Sequence, residues 1–309
     1  MLFSNRVCAT IFCMKNLLFI YNPKAGKGSI GTHLGDIVEI FAESGYRVTI
    51  YPTKCQGDGE VVAKQWAGEF DRVVCAGGDG TLDEVVSGMM NSEFKVPIGY
   101  VPAGSTNDFA KSLGIPSSMT RAASVVVSGN DYLCDVGAMN DKNFVYCAAF
   151  GIFTDVSYST DQTLKNALGH AAYILQSVKE LQDIKTYHMK VTYGNGTVIE
   201  DDFIYGMVTN SVQVGGIQNI TGKNVRLDDG EFELTLVRRP QSIIELPNLV
   251  AALLGNTRIS SKDLINVKLS HVTFESDKPV AWTRDGEYGG KHKKVDIYNM
   301  PRAMTIKIP

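Results

Sequence analysis

Charge of one sign, paired cysteines and long apolar runs are all missing from this chain. Its 309 residues carry 30 Lys and Arg against 33 Asp and Glu, a formal net charge of −3, so no basic field is offered to nucleic acid. None of the six cysteines (Cys8, Cys13, Cys55, Cys75, Cys134, Cys147) falls in a Cys-x-x-Cys pair. Several sit within apolar, strand-like runs. That reads as reduced, buried thiols of a cytoplasmic protein rather than a disulfide framework. The five histidines show no metal-ligand spacing and read as structural or surface residues. No stretch reaches the ~20 apolar residues of a membrane-spanning helix. Met1 to Ile20 is fairly apolar, but Arg6 and Lys15 break it, and a signal peptide needs an unbroken apolar core and a small-residue cleavage site. Met14 therefore reads as the start of the folded part, with residues 1–13 an ill-ordered extension. No internal repeat or low-complexity segment is visible.

What is present describes a globular enzyme-sized chain. Apolar residues make up 44% and charged ones 20%, and the length suffices for two hydrophobic cores. Residues 16–136 alternate strand and helix. Strands are read at Leu17–Tyr21, Arg47–Tyr51, Arg72–Ala76, Pro97–Val101 and Leu133–Val136. Helices are read through Leu34–Phe41 up to Gly45, and over Glu60–Trp66, Leu82–Met90, Thr106–Leu113 and Thr120–Val127. Such alternation predicts a doubly wound, mostly parallel α/β sheet, whose ligands bind beyond the strands' carboxyl ends. From residue 137 the pattern turns β-rich. Strands are read at Phe144–Phe150, His188–Tyr193, Phe203–Thr209, Glu231–Val237, Leu264–Leu269, Val272–Glu275 and Val295–Tyr298, with helices near Leu164–Leu181 and Ser242–Leu253. This predicts a second, β-sandwich domain and an active site in the interdomain cleft.

The most informative segment is Val74-Cys75-Ala76-Gly77-Gly78-Asp79-Gly80-Thr81-Leu82-Asp83. An apolar strand runs into three glycines, and then Leu82, Val85, Val86 and Met89 take up helical spacing. A glycine turn feeding a helix N-terminus presents free N–H groups and a partial positive charge to phosphate. Asp79 within it points to a nucleotide site that works with a metal, since a carboxylate beside phosphate needs a mediating cation. A tight turn with no ligand is the plainer alternative.

Three other segments stand out. Asn22-Pro23-Lys24-Ala25-Gly26-Lys27-Gly28 follows the first strand, but no Gly lies five residues before Gly26, so the P-loop pattern is not met. Gly104-Ser105-Thr106-Asn107-Asp108-Phe109 follows the fourth strand. Taken singly its residues are ordinary helix caps; together, facing the Gly77–Thr81 turn, they suit a second part of one ligand. Leu227-Asp228-Asp229-Gly230-Glu231-Phe232-Glu233 and Arg284-Asp285-Gly286-Glu287 are acidic turns. Either is a solvated turn, or the first is a cation site and the second a general base with a supporting carboxylate.

Taken in order, Asn22-Pro23, Gly77-Gly78-Asp79-Gly80-Thr81, Gly104 through Ala110, Asp135-x-Gly137, Phe150-Gly151, Asp228-Asp229-Gly230 and Asp285-Gly286-Glu287 resemble the diacylglycerol kinase catalytic-domain family. More narrowly they resemble soluble bacterial lipid kinases, relatives of sphingosine and ceramide kinases. The resemblance covers residues 15–309. The Gly77–Thr81 motif alone is shared with NAD kinases.

The resemblance implies an ATP-dependent lipid kinase with Mg²⁺, phosphorylating a lipid hydroxyl such as that of diacylglycerol at the membrane surface. It implies an ATP-binding domain over 14–136, to which 300–309 return, and a β-rich domain over 137–299. Asn22, Pro23, Gly77, Gly78, Asp79, Gly80, Thr81, Gly104 and Thr106 would bind ATP. Asn107, Asp108 and Asp135 would form a polar network. Asp285 would be the general base with Glu287 in support. Asp228, Glu233 and the Glu231 carbonyl would hold a structural Mg²⁺. A cytoplasmic enzyme touching the membrane transiently through Lys24, Lys27 and Lys111 follows, and a homodimer is compatible with it. Asp83 and Glu233 depart from the family pattern, which has Asn and Asp there. A kinase of NAD-kinase type and a non-catalytic nucleotide-binding regulator are the rival readings.

Overall fold

The computed structural model describes residues 14–152, 184–215, 217–218, 224–245, 249 and 262–309. The expected helix near Leu164–Leu181, most of that at Ser242–Leu253, and residues 1–13 lie outside them.

The first half alternates as the hydrophobic pattern predicts: β1 (Lys15–Tyr21), α1 (Ile30–Glu43), β2 (Tyr46–Pro52), α2 (Asp58–Trp66), β3 (Arg72–Gly77), α3 (Asp79–Met90), β4 (Ile98–Pro102), α4 (Asp108–Ser112), α5 (Met119–Ser128) and β5 (Asn130–Met139). Strands β2, β1, β3 and β4 are hydrogen-bonded in that order, all parallel. The helices pack in two pairs, α1 with α5 and α2 with α3. Covered on both faces, β3 and β4 are buried along their whole length, which is why their sequences read as continuous apolar runs. Helix α1 buries Ile30, Ile37 and Phe41 and ends where Gly45 takes a φ of +83°.

The second half is antiparallel: β6 (Lys142–Phe144), β7 (Cys147–Gly151), β8 (Tyr187–Tyr193), β9 (Thr197–Thr209), β10 (Gln213–Val214), β11 (Ile217–Gln218), β12 (Phe232–Arg238), β13 (Leu264–Leu269), β14 (His271–Arg284) and β15 (Glu287–Ile308). Strands β9 and β14 are long enough to serve twice. Each pairs with β7 through one end and β8 through the other. The resulting ring encloses a core of Phe150, Phe203, Phe274 and Trp282. Strand β15 pairs antiparallel with β14 and with β5, and near its end Ile306 lies parallel to Ile98 of β4. One hydrogen-bonded sheet therefore runs through both halves.

Strands β9, β14 and β15 run well beyond the expected 203–209, 272–275 and 295–298, and three further differences bear on the site. Helix α3 starts at Asp79, not Leu82, so Asp79, Gly80 and Thr81 form its first turn. Helix α4 is confined to Asp108–Ser112, because Asn107 ahead of it is left-handed at φ 50°. The expected Phe144–Phe150 strand is broken at Val145 and Tyr146, whose amides turn to bind Asp285.

Candidate active site

Four loops at the carboxyl ends of β1, β2, β3 and β4 converge on one cavity of about 770 Å³. Asn22 and Gly26 come from the first, Thr53–Gly57 from the second, Gly78, Gly80 and Thr81 from the third, and Gly104 with Ser105 from the fourth. Arg284, Glu287 and Tyr288 close it from the hairpin joining β14 to β15. The loops touch because they carry glycine. A Cβ on Gly104 would lie 2.5 Å from the Gly78 Cα, and one on Gly26 would lie 2.2 Å from the Ala103 carbonyl oxygen. The Ala103 N–H donates to the Gly77 carbonyl at 2.8 Å, and the Asn22 amide reaches the Thr81 hydroxyl at 3.4 Å. Gly78 caps α3 in an extended conformation, so the helix presents its first N–H groups and dipole to the cavity.

Carboxylates gather beneath and beside this cradle. Asp79 accepts the N–H groups of Asp108 and Phe109 at 3.1 and 3.4 Å, capping α4. Burial, then the neighbouring Asp108, pushes its carboxyl up to about 6. Asp108 in turn accepts Gln213 Nε2 and the Gly215 N–H at 2.5 and 2.7 Å. Asn107 faces inward: its side chain exchanges two hydrogen bonds with the Gly104 backbone and fixes the loop. Thr106 is buried in the same loop.

Asp285 and Gly286 form the two-residue turn between β14 and β15, with φ of 47° and 83°, the left-handed pair an Asp-Gly hairpin favours. The turn swings the Asp285 carboxylate onto three backbone N–H groups: Val145 at 2.5 Å, Tyr146 at 2.9 Å and Cys147 at 2.8 Å. Burial raises its carboxyl above the ordinary range, opposed by those amides and by Arg284. Asp83, on α3, is buried against it. Desolvation first, then Asp285, pushes Asp83 well up, while Arg284 at 3.5 Å opposes. One Asp83 oxygen has no hydrogen-bond partner. Glu287 faces the cavity, with Oε1 3.4 Å from where a Cβ on Gly80 would stand.

The other expected site residues are placed elsewhere. Asp135 does not line the cavity. Fully buried, it accepts the N–H groups of Gly230 and Arg302 at 2.7 and 2.8 Å and Asn299 Nδ2 at 3.2 Å. Asp228, Glu231 and Glu233 do not converge as one ligand set. Asp228 pairs with Arg226 at 3.3 Å, the Glu231 N–H donates to Asp229, and Glu233 faces Lys268 at 3.4 Å. Among the described residues no group of three or more His, Cys, Asp or Glu could hold a metal ion. Pro23 is exposed at the cavity loop.

Sequence reasoning passed over the Thr53–Gly57 loop, whose Gly57 amide, together with that of Gly59 in α2, binds Glu84 at 2.7 and 3.1 Å. Its one signal was its place after a strand. It also missed Gln213 and Gly215, which are brought to Asp108 only by the tertiary fold. Cys75, Cys134 and Cys147 are buried free thiols, and Cys55 is exposed. No described helix is long and apolar enough to cross a membrane.

Residues 16–139 match the family model of the diacylglycerol kinase catalytic domain. A diacylglycerol kinase of Bacillus subtilis (strain 168) is 32% identical over 298 residues, covering 96% of this chain and 97% of the relative. One from Staphylococcus carnosus (strain TM300) is 30% identical over 296 residues, covering 96% and 95%. Two crystal structures from Bacillus anthracis str. Sterne align with TM-scores of 0.82 and 0.76 at 26% and 25% identity, each covering 96% of this chain and 97% of the other. The second is of a diacylglycerol kinase.

Proposed function

This chain belongs to the diacylglycerol kinase catalytic-domain family, and on that premise we propose that it is an ATP-dependent lipid kinase transferring the γ-phosphate to a diacylglycerol-type hydroxyl. The observation that carries the reading is the meeting of three glycine loops, through Gly26, Gly78 and Gly104, under the Glu287 carboxylate. The cradle suits the triphosphate: backbone N–H groups at the start of α3 donate to its oxygens. Lys24, Lys54 and Arg284 border the same cavity and offset the phosphate charge.

Mg²⁺ would fit this site in the manner usual for nucleotides, held by phosphate oxygens and one or two carboxylates with retained waters completing its shell. Glu287, which lines the cavity, is a carboxylate placed to share it; Asp79, at the start of the same helix as Gly80 and Thr81, is held by the Asp108 and Phe109 N–H groups. Bound there, the ion would screen the phosphate oxygens.

The acceptor oxygen attacks the γ-phosphorus as the bond to the β-phosphate oxygen breaks, and its proton passes to a carboxylate. Asp285 is proposed as that acceptor. Its three amide donors fix the carboxylate to the 145–147 segment; it is buried behind Arg284 and Glu287, which line the cavity. Glu287, nearer the open cavity, supports the arrangement. Residues 14–136 with 300–309 form the ATP-binding domain in this reading, 137–299 the acceptor domain, and the cavity their cleft. Transient contact with anionic membrane through Lys24, Lys27 and Lys111 belongs to the same proposal.

The test is phosphorylation of a lipid panel with γ-labelled ATP. Labelled phosphatidic acid from diacylglycerol supports the reading. Label on NAD and on no lipid would replace it with the NAD-kinase type, and ATP binding without transfer to either would leave a regulator.

A further inference from the structure

The acidic turn 228–233 is built around a lysine. Strands β12 and β13 place Glu233 directly opposite Lys268. The Lys268 ammonium stands 2.9 Å from Asp229 Oδ2 and 3.4 Å from Glu233 Oε1. Glu233 is 5% exposed, and neither of its carboxylate oxygens has a hydrogen-bond partner. The ammonium is thus the sole ion pair given to that carboxylate among the described residues. Asp228 is drawn the other way, its two oxygens facing Arg226 at 3.3 and 3.4 Å.

We propose that Lys268 is the resident counter-ion of this turn, so that an ammonium stands where a divalent cation would otherwise bridge Asp229 and Glu233. A magnesium ion demands oxygen ligands at about 2.1 Å in near-octahedral array. Here an ammonium at hydrogen-bonding distance already lies between two carboxylates, and a third is committed to a guanidinium. Two protein cations face the three carboxylates, so a divalent ion would have to displace Lys268 before it could bind. The turn matters because it is tied to the junction of the halves: the Gly230 N–H donates to Asp135, which also holds the Arg302 N–H of β15. Lys268 keeps that junction closed whatever the divalent concentration. Replacing it by an uncharged side chain uncovers a latent cation site.

Nucleotide-free enzyme is melted with EDTA and with millimolar Mg²⁺ or Ca²⁺, for wild type, Glu233→Gln, Lys268→Met, Lys268→Arg and the Lys268→Met/Glu233→Gln pair. Any cation response of the wild type should be the same in Glu233→Gln, since it arises elsewhere. Lys268→Met should melt roughly 3–8 °C lower in EDTA, because removing one partner leaves a buried charge. It should regain part of that loss with the cation, by mass action. Lys268→Arg should match wild type. The pair should recover most of the loss and lose the added cation response. A wild-type cation shift that Glu233→Gln abolishes would overturn the proposal. So would a Lys268→Met enzyme that melts like wild type, or a double variant no more stable than the single one.

Discussion

Two carboxylates two residues apart divide the work at the proposed reaction centre, and substitution separates them. Asp285→Asn removes the proton acceptor, so kcat should fall by about two to four orders of magnitude while ATP affinity changes little. The asparagine amide nitrogen cannot accept an N–H, so one of the Val145–Cys147 donors loses its partner and stability drops by about 1–3 kcal/mol. A melt must therefore accompany the rate, and single-turnover kinetics on folded enzyme is the measurement. Glu287→Gln should do less. If Glu287→Gln proves the more damaging, the proton goes to Glu287. Asp83 gives a second test. Its folded carboxyl sits well above the ordinary carboxylate range through burial beside Asp285. A raised folded value means stability that is full below the unfolded pKa of about 4 and is lost as pH rises through the folded one. Asp83→Asn keeps a donor for Asp285 without the charge. It should therefore stabilise the protein at pH 7 and do nothing below about pH 4. Equal melting of the two proteins at pH 7 would show Asp83 to be an ordinary ion-pair partner of Arg284.

At the scale of loops and strands the cradle depends on backbone contact. Gly104→Ala sets a methyl against the Gly78 backbone, and backbone cannot step aside as a side chain does. The two loops must part, and affinity for a non-hydrolysable ATP analogue should fall at least tenfold, an order-of-magnitude loss of oriented N–H donors. Calorimetry showing unchanged affinity would remove the fourth loop from the nucleotide site. These loops were legible in the sequence because their chemistry is local: glycines after an apolar run, then helical spacing. The Asp285-Gly286 turn is equally local and reads as a turn from sequence, though not as the hairpin joining β14 to β15. Strand ends were less legible. Phe144–Phe150 reads as one apolar run because Val145 and Tyr146 are apolar and buried, yet their amides serve a carboxylate 139–140 residues away. No periodicity reports such a partner. The same holds for Lys268, which lies opposite Glu233 only once β12 and β13 pair, so the acidic turn alone suggested a metal.

At the scale of the molecule, the described strands that join the halves are β5, which pairs with β6, and above all β15. It leaves the Asp285 hairpin beside β14, runs along β5 and ends next to β4. Between Met300 and Met304 its register shifts, and Arg302 takes a φ of 51°. A strand that changes register there leaves backbone groups without a ladder partner, and Asp135 supplies one. Its carboxylate binds the Arg302 and Gly230 N–H groups and the Asn299 amide, while its own N–H donates to the Leu227 carbonyl. This buried carboxylate, expected in a polar network with the nucleotide, therefore acts as the tie between β5, the acidic turn and the crossing strand. Asp135→Ala would leave three donors without an acceptor, at a cost of about 3–5 kcal/mol, comparable to breaking a buried charged pair. Because the shared strand makes the halves unfold together, wild type should melt in a single denaturant transition. The variant should show a lower midpoint and a second transition, or a shallower slope, as the halves uncouple. Asp135→Asn, keeping one acceptor oxygen, should fall between. An Asp135→Ala protein with the wild-type midpoint and slope would mean that β15 holds the halves together by its ladder alone.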